Sequence, residues 1–303
     1  MLVFSLLKFY TFGKSVQNKF VIQQQINKKK IINDPVLGFI GLQSEFIFDI
    51  IEQPSFQRLR RIKQLGLSYL VFPGANHSRF EHALGASYLM RQAISVLRLK
   101  GHEITEAEAE AVTAAILLHD IGHAPFSHVL ENTLVEISHE EISLLLMNQL
   151  NSHFNGKLDL AIQIFTNQYK KHFLHQLVSS QLDMDRLDYL NRDSFFTGVV
   201  EGTIGVERII KMLNVWQDQL VVDEKGIYSI EKFLISRRLM YWQVYLHKTV
   251  LSAESLLVKI LKRAKWLADK EVNLFTTPAL QQFLYNKYTL ADFKKSPDLL
   301  DVF

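Results

Sequence analysis

The chain has 303 residues, of which 48% are hydrophobic and 21% are charged, as in an ordinary globular protein. Its formal net charge of +3 is too small to indicate bulk nucleic-acid binding, although it is compatible with a local basic cleft for a polyphosphate. The absence of cysteine excludes disulfide bonds, zinc–thiolate sites and thiol nucleophiles. A chain of this length buries a substantial core, as one large domain or as one domain with an appendage.

The chain begins with a short apolar segment, Met1 to Phe12. No small-residue cleavage pattern follows it, and the basic residues come after it rather than before it, so a secretory signal is not indicated. The segment is also far shorter than the roughly 20 residues that a membrane-spanning helix needs. We therefore interpret residues 1–29 as an N-terminal extension, and we expect a cytoplasmic protein without a membrane partner.

Asn33-Asp34-Pro35 is a turn signal that opens the compact part of the chain. Most of the following sequence has helical periodicity, and its prolines stand where helices start or stop. The pattern predicts an all-α fold with helices at residues 44–65 (bent at Pro54), 79–99, 105–120, 125–131, 138–151, 158–168, 171–181, 183–193 and 203–213.

A β-rich segment interrupts the helices at 219–229. Two strand-like runs there flank the turn residues Asp223 to Gly226, a pattern that predicts a small β-hairpin. One long helix is expected at 231–268, followed by short helices at 276–303. Because the chain ends without a polar tail, we interpret the C-terminal portion as truncated. The predicted organisation is an extension (1–29), a core (30–200) and a C-terminal helical region with the hairpin (201–303).

Histidines are concentrated in two motifs, which run from His77 to His82 and from His119 to His128. Six of the 11 histidines stand in these motifs or shortly after them: His77, His82, His119, His123, His128 and His139. Imidazoles and carboxylates at such density suit a divalent transition metal, and they suit phosphate-ester chemistry around that metal. This clustering predicts a metal-dependent enzyme.

An apolar helix is predicted to present His119 and Asp120 in its last turn, before Gly122 allows a change of direction. Adjacent helical residues point about 100° apart, so both side chains reach one ion only near a helix end. His82 lies on the preceding helix and Asp185 on a later one. Two imidazoles and two carboxylates suit Mn, Fe, Zn, Ni or Mg. We predict one divalent metal bound by these four residues, with water and phosphate oxygens at its open positions.

The pattern His82…His119-Asp120…Asp185 resembles the HD-domain metal-dependent phosphohydrolases. Residues 72–85, 118–128 and 183–189 more narrowly resemble the deoxynucleoside triphosphate triphosphohydrolases, in particular bacterial relatives of the SAM-and-HD-domain enzyme that lack the SAM domain. The similarity covers roughly residues 30–250, and such long motifs in one order are highly specific. The resemblance implies that the core at 30–200 is an HD phosphohydrolase core and that the protein is a homo-oligomer, either a dimer or a tetramer.

The resemblance also implies catalytic roles around the metal for His123, His128, His139 and Glu131. Imidazoles close to a transferring phosphoryl group offset its charge and donate a proton to the leaving oxygen, and His128 or His139 is the expected acid. Glu131 departs from the family pattern, because aspartate usually stands at this position. For His139 alone, a surface residue in a helix-capping region is the alternative.

The residues that the resemblance assigns to substrate binding are Arg79, Gln64, Leu65, Arg186, Tyr189, Asp193, Arg237 and Tyr245. The guanidinium of Arg79 offers bidentate hydrogen bonds to phosphate oxygens, and Arg186 keeps the charge of the lysine that is usual at its position. A glutamine and an aspartate can bind the 3′-hydroxyl of deoxyribose, while Leu65 and Tyr245 can crowd out a 2′-hydroxyl. Without the resemblance, Leu65 and Tyr245 would be interpreted as core residues.

A nucleotide effector site is a further implication of the resemblance. Its expected residues are Lys30, Glu52, Gln57 and Arg60, with His247 and Lys248 at a second effector position. Glu52 replaces the aspartate that the family associates with guanine selection, so the sequence leaves the identity of the effector open. A solvated basic face is the alternative interpretation of these residues.

The expected function is cleavage of deoxynucleoside triphosphates to deoxynucleoside and triphosphate, with a metal-activated water attacking the α-phosphorus. A further Mg²⁺ accompanying the triphosphate is compatible with this chemistry. Two alternatives stay open. An HD-type 5′-nucleotidase or another nucleotide phosphohydrolase would use the same four ligands, and a catalytically silent nucleotide-binding module would keep the metal as a structural clip.

Overall fold

The computed structural model describes residues 30–42, 44–126, 133–296 and 299. Within these ranges the helices are α1 (Glu45–Ile51), α2 (Pro54–Gln57), α3 (Arg79–Leu99), α4 (Glu106–Leu118), α5 (His139–His153), α6 (Asp159–Phe165), α7 (His172–Val178), α8 (Met184–Thr197), α9 (Val206–Met212), α10 (Ile227–Met240), α11 (Lys248–Ala268), α12 (Pro278–Tyr285) and α13 (Leu290–Lys295). Two antiparallel hairpins pair β1 (Ile31–Asp34) with β2 (Gly38–Gly41) and β3 (Leu213–Trp216) with β4 (Gln219–Val222). The predicted helical fold with a small hairpin is confirmed. The predicted N-terminal extension lies outside the described residues.

Helices α3, α4 and α8 form the centre of the fold, and α3 packs against both of the others. A capping box starts α3, because Ser78 and Glu81 each accept the backbone N–H of the other. Thr105 and Glu108 form the same reciprocal pair at the start of α4. From Ala111 onwards every residue of α4 is buried, as expected of a helix that is apolar on all faces. This packing carries the end of α4 deep into the core.

The predicted helix at 44–65 is wrong as a continuous element. Gln53 is extended, and Pro54 begins a new helix, because proline lacks the N–H and the freedom in φ that a continuing helix needs. The chain then tightens into a 3₁₀ turn at Arg58–Arg61 and becomes extended at Ile62. A second 3₁₀ turn follows at Ser68–Leu70.

The predicted helix at 231–268 is likewise divided, into α10 and α11. A π-helical turn, Tyr241–Tyr245, follows α10, and His247 is extended, with φ −62° and ψ 124°. The wider turn directs the Tyr245 hydroxyl towards Asp193, to which it donates a hydrogen bond of 2.8 Å. This contact gives the interruption a physical reason that helical periodicity does not reveal.

The remaining predicted helices agree with the structure within four residues at each end, and α12 and α13 are the short helices expected after residue 276. Of the helix predicted at 125–131, Pro125 and Phe126 lie in a turn, and the rest lies outside the described residues. In the described part of the chain, no helix combines the length and the apolar character required to cross a membrane.

The C-terminal hairpin begins earlier than predicted. Its strand β4 coincides with the first predicted run, but β4 pairs with the preceding β3, and residues 227–229 begin α10 instead of a strand. Gln217 and Asp218 have φ angles of 50° and 60°, which match the two-residue turns that suit the twist of a hairpin. Neither residue is glycine, so the usual sequence signal is missing. The predicted turn at 223–226 includes a single 3₁₀ turn that leads into α10.

Glu108 is a buried carboxylate with two side-chain partners. Tyr169 Oη donates to it at 2.6 Å and Lys171 Nζ at 2.9 Å. Burial alone would raise the pKa of Glu108, but these hydrogen bonds, that of the Thr105 N–H and the charge of Lys171 lower the pKa to about 2. The carboxylate therefore stabilises the attachment of the 169–171 segment to α4.

We predict that Glu108→Gln lowers the free energy of unfolding by about 2 kcal/mol at neutral pH, because hydrogen bonds to a charged group are lost. The folded-state pKa lies below the ordinary value of 4.5, so the contribution is complete above that pH and is lost as the pH falls towards about 2. Urea denaturation at about pH 7 and pH 3 measures this effect. The difference in the free energy of unfolding between wild type and variant should be smaller at about pH 3 than at about pH 7. A larger difference at about pH 3 would contradict the stabilising role of the Glu108 carboxylate.

Candidate metal centre and nucleotide pocket

Three helices bring together the four residues predicted to bind a metal. His82 Nε2 on α3 lies 3.1 Å from Asp185 Oδ1 on α8, and His119 Nε2 lies 3.5 Å from the same oxygen. Asp120, directly after His119, places Oδ1 3.4 Å from His119 Nε2 and Oδ2 3.9 Å from His82 Nε2. The four side chains are therefore within reach of one ion, and their role as ligands stays a prediction.

The turn that carries His119 is fixed by contacts with α5 and with the 3₁₀ turn after α2. Ser143 Oγ on α5 accepts the N–H of Gly122 at 2.9 Å and donates to the carbonyl of His119 at 2.8 Å. A Cβ at Gly122 would overlap with the backbone of α5, so glycine is required there by a close approach. Arg58 Nη2 donates to the carbonyl of Ile121 at 2.5 Å. These contacts hold the His119-Asp120 doublet at the end of α4.

Each metal-facing histidine has its other ring nitrogen in a hydrogen bond. His82 Nδ1 donates to Asp188 Oδ2 at 2.8 Å, and His119 Nδ1 donates to the carbonyl of Ile116 at 2.6 Å. These acceptors place the proton on Nδ1 and leave a lone pair on Nε2 of both rings. Both Nε2 atoms are buried without a hydrogen-bond partner, and both face Asp185. A lone pair opposite a carboxylate oxygen needs a cation between them, so these residues fit a divalent metal.

A proton is the alternative occupant of this gap. Burial alone would lower the pKa of His82, but the carboxylates of Asp185 and Asp188, which face its two ring nitrogens, raise it to about 10. Burial would raise the pKa of Asp185, but the nearby imidazoles of His119 and His82 hold it below its ordinary value. The centre therefore attracts positive charge strongly, whether as a proton or as a metal ion.

A second cluster adjoins the first and shares Asp120 with it. Asp120, His123 and His139 offer ligand atoms that all lie within 4.8 Å of one another, and the two rings stack with centroids 3.9 Å apart. Arg79 donates a hydrogen bond to Asp120 Oδ2. Burial lowers the pKa of His123 to about 3, against the opposing charge of Asp120. Burial therefore favours the neutral form of His123, and its catalytic role stays a prediction. His128 and Glu131 lie outside the described residues.

A pocket of about 1000 Å³ opens above the two clusters. Its lining includes Asp120, Asp185, His123 and His139 together with six of the predicted substrate residues: Gln64, Leu65, Arg79, Tyr189, Asp193 and Tyr245. Arg186 and Arg237 are not among the lining residues. Arg186 instead bonds Asp183, and Arg237 Nη1 lies 3.4 Å from Gln181 Oε1. The structure thus gathers most of the predicted site into one cavity.

Asp193 anchors one end of the pocket. His77 Nε2 donates to Asp193 Oδ1 at 2.7 Å, and Tyr245 Oη donates to Asp193 Oδ2 at 2.8 Å. The His77 ring stacks on Phe196 with centroids 4.5 Å apart, and both His77 and Asp193 are buried. Each carboxylate oxygen has a second lone pair, so Asp193 can still accept a hydrogen bond from a hydroxyl group of a ligand.

Helix α11 supplies one wall of the pocket that the sequence interpretation missed. Val250, Glu254, Val258 and Lys262 recur at intervals of four and line the cavity, and Lys259 lines it beside them. The spacing was a readable signal of one helix face. This spacing does not distinguish a pocket wall from an ordinary core-facing stripe, so the sequence alone does not identify these residues as part of the site.

The predicted effector residues near the N-terminus lie on neighbouring elements. Lys30 Nζ lies 4.1 Å from the Phe48 ring centroid, and Arg60 Nε donates to Gln57 Oε1 at 2.8 Å. Glu52 caps α1. At the second position, His247 and Lys248 begin α11, and the His247 ring contacts Phe72 with centroids 5.8 Å apart. An effector role for any of these residues stays a prediction.

Comparisons with known proteins identify the family of the chain. The HD domain model matches residues 79–193, and the HD associated region model matches residues 204–278. A crystal structure of a phosphohydrolase from Bacteroides thetaiotaomicron superposes with a TM-score of 0.88 and 62% sequence identity, covering 91% of this chain and 68% of that one. The uncharacterized protein YwfO of Bacillus subtilis is 39% identical over 279 residues, which are 89% of this chain and 64% of YwfO.

Human deoxynucleoside triphosphate triphosphohydrolase SAMHD1 is 31% identical over an alignment of 273 positions, gaps included, that covers 75% of this chain and 43% of SAMHD1. The chain therefore belongs to the HD-domain phosphohydrolase family, and its relatives include SAMHD1 proteins. It spans less than two thirds of the length of several curated relatives, including YwfO and SAMHD1.

We predict that Gly122→Ala disrupts the metal-binding turn, because the added methyl group meets backbone atoms of α5 that cannot rotate away. The expected loss is about 2–3 kcal/mol in the free energy of unfolding, together with reduced binding of Mn²⁺. Urea denaturation and calorimetric titration measure the two effects. Gly205→Ala is the control, since a Cβ there would lie 4.0 Å from the nearest side-chain atom, that of Arg208, and the φ of Gly205 is −82°. Equal behaviour of the two variants would refute the close-approach explanation.

Proposed function

We propose that this protein is a metal-dependent hydrolase that converts deoxynucleoside triphosphates to deoxynucleoside and inorganic triphosphate. One observation carries the proposal. Two buried Nε2 lone pairs and the carboxylates of Asp120 and Asp185 converge beside a pocket of about 1000 Å³. Membership of the HD-domain phosphohydrolase family and the relationship to SAMHD1 support it.

His82, His119, Asp120 and Asp185 would hold the divalent ion. When bound, such an ion supplies positive charge for the transferring phosphoryl group and lowers the pKa of a coordinated water. The chain's own contribution is to orient the four donors. Asp188 and the Ile116 carbonyl fix the tautomers of the two imidazoles, so no reorganisation of the rings is needed before an ion binds.

The pocket also provides cations for a triphosphate. Arg79 lies beside the metal cluster, and Lys259 and Lys262 line the α11 wall. A deoxynucleoside triphosphate carries about four negative charges, and cations in a partly enclosed cavity stabilise them more than they would in open water. Glu254 lies on the same wall and Arg79 is paired with Asp120, so the two lysines are the cations that support a polyphosphate ligand.

Asp193, Tyr245 and Gln64 are the proposed contacts of the sugar. The hydrogen bonds from His77 and Tyr245 fix the Asp193 carboxylate, and a fixed acceptor binds a 3′-hydroxyl with little loss of side-chain entropy. Leu65 lines the same pocket and would occupy the space of a 2′-hydroxyl. The proposed substrate is therefore a deoxyribonucleotide.

Water attacks the α-phosphorus in the proposed reaction, and the bond between the α-phosphorus and the 5′-oxygen breaks. Triphosphate leaves with the new oxygen, and the 5′-oxygen receives a proton. His139 is a described histidine at the pocket that can deliver this proton, and His128 stays the alternative. His123 stacks on His139, with ring centroids 3.9 Å apart.

The wild-type protein, incubated with Mn²⁺ and each deoxynucleoside triphosphate, should release triphosphate and deoxynucleoside. His119→Ala should reduce turnover by at least about 10³-fold, since it removes one of the four proposed ligands. Chromatography separates the products. Orthophosphate or monophosphate as the sole product would contradict the cleavage site, release of phosphate only from monophosphates would favour a 5′-nucleotidase, and unchanged turnover of His119→Ala would remove the metal from the mechanism.

Leu65→Ala should improve the use of ribonucleotides, because the shortened side chain leaves room for a 2′-hydroxyl. We expect the ratio of kcat/KM for GTP to that for dGTP to rise by roughly 10-fold, the usual magnitude for a small change in a pocket. Steady-state kinetics with both nucleotides measure it. Leu70→Ala, an exposed residue on the second 3₁₀ turn, is the control. An unchanged ratio would exclude Leu65 from sugar selection.

A further inference from the structure

Arg192 on α8 is the largest of the fully buried side chains in the described ranges. Its Nε and Nη2 donate to the two oxygens of Asp188 at 2.8 and 2.9 Å. Its Nη1 donates to Asp34 Oδ2 at 2.7 Å. A buried guanidinium requires such compensation, so one arginine joins a carboxylate of α8 to a carboxylate of the N-terminal hairpin.

The same Asp188 holds a proposed metal ligand. Asp188 Oδ2 accepts both Arg192 Nε and His82 Nδ1, each at 2.8 Å. The chain of contacts Asp34–Arg192–Asp188–His82 is thus continuous, and the side chains of all four residues are at most 4% exposed. Gly85 leaves the necessary space, because a Cβ there would overlap with Asp188 and Arg192.

The two carboxylate oxygens of Asp34 accept hydrogen bonds from different groups. Oδ1 accepts the N–H groups of Val36 and Leu37 at 2.9 and 2.8 Å and thereby forms the turn of the hairpin. Oδ2 bonds Arg192. Replacing Asp34 by asparagine keeps an acceptor oxygen for the turn. It places the uncharged amide NH₂ group opposite the guanidinium of Arg192 and so removes the negative charge that pairs with it. The turn and the ion pair can therefore be separated by experiment.

We propose that Asp34 is a positioning residue for the candidate metal centre, acting on His82 through Arg192 and Asp188. Because Asp34 shares the charge of Arg192, Asp188 keeps more of its negative charge for the N–H of His82. A stronger acceptor at Nδ1 makes Nε2 a better donor to a metal and fixes the direction of the ring. Loss of the Asp34 charge would weaken metal binding for both reasons. This inference rests on the metal centre of the proposed function.

The test compares wild type, Asp34→Asn and Glu108→Gln as full-length chains, with Mn²⁺ alone as the probe. Glu108 is the matched control, because it is also a buried carboxylate in an ion pair, and it lies at the end of α4 opposite to His119, about 16 Å away along the helix. Calorimetric titration gives the dissociation constant for Mn²⁺. Urea denaturation of the metal-free proteins gives their stability.

Asp34→Asn should weaken Mn²⁺ binding by about 10-fold, the lower end of the usual effect for groups that support a metal ligand. Glu108→Gln should change the affinity for Mn²⁺ by less than about twofold, although this variant also loses stability. The Nδ1 proton resonance of His82 in metal-free protein should move upfield in Asp34→Asn and stay unchanged in Glu108→Gln. If asparagine prevents folding, Asp34→Ser replaces it, since serine keeps an acceptor for the turn.

Wild-type affinity in the Asp34 variant, with an unmoved His82 resonance, would overturn the inference while leaving the proposed function intact. Equal weakening in both variants would also overturn it, because the effect would then reflect stability alone. A wild-type protein that binds no Mn²⁺, Zn²⁺ or Fe²⁺ would instead remove the metal centre itself and the proposed function with it.

Discussion

Two buried imidazoles, each with one nitrogen hydrogen-bonded and the other facing a carboxylate, are the arrangement on which the rest of this structure depends. His82 and His119 cannot turn away without breaking their Nδ1 hydrogen bonds, and their Nε2 atoms have no other hydrogen-bond partner. The burial of such atoms destabilises the fold unless positive charge compensates them. The same features would favour the binding of a cation at this position. The stability of the fold and the proposed chemistry therefore depend on the same group of side chains.

The apolar helices around this group determine its electrostatics. Because α4 is buried on every face along its second half, the side chains of His119 and Asp120 at its end are largely withdrawn from water, with exposed fractions of 11% and 10%. Charges in such surroundings interact strongly, which explains the raised pKa of His82, whereas burial itself lowers the pKa of His123. Gly85 and Gly122 permit the close contacts that this packing requires. The buried guanidinium of Arg192 is paired on both sides, with Asp188 and with Asp34.

Much of the candidate metal centre could be predicted from the sequence, because its residues stand in local patterns. His119 and Asp120 end an apolar helix, and His82 and Asp185 lie on two other helices. The Asp34–Arg192 ion pair joins residues 158 positions apart and leaves no local signal. The hairpin turn at Gln217-Asp218 lacks glycine, and the π-helical turn depends on a contact of Tyr245 with Asp193. These features arise from tertiary packing, which periodicity cannot reveal.

The central claim is that one divalent ion is bound jointly by His82, His119, Asp120 and Asp185. Anomalous diffraction at the manganese edge, from crystals grown with Mn²⁺, tests it most directly. The account predicts one strong peak within roughly 2–2.5 Å of both Nε2 atoms and of an oxygen from each carboxylate. A strong peak that is bound only by Asp120, His123 and His139, or the absence of any peak between His82 and Asp185, would contradict it.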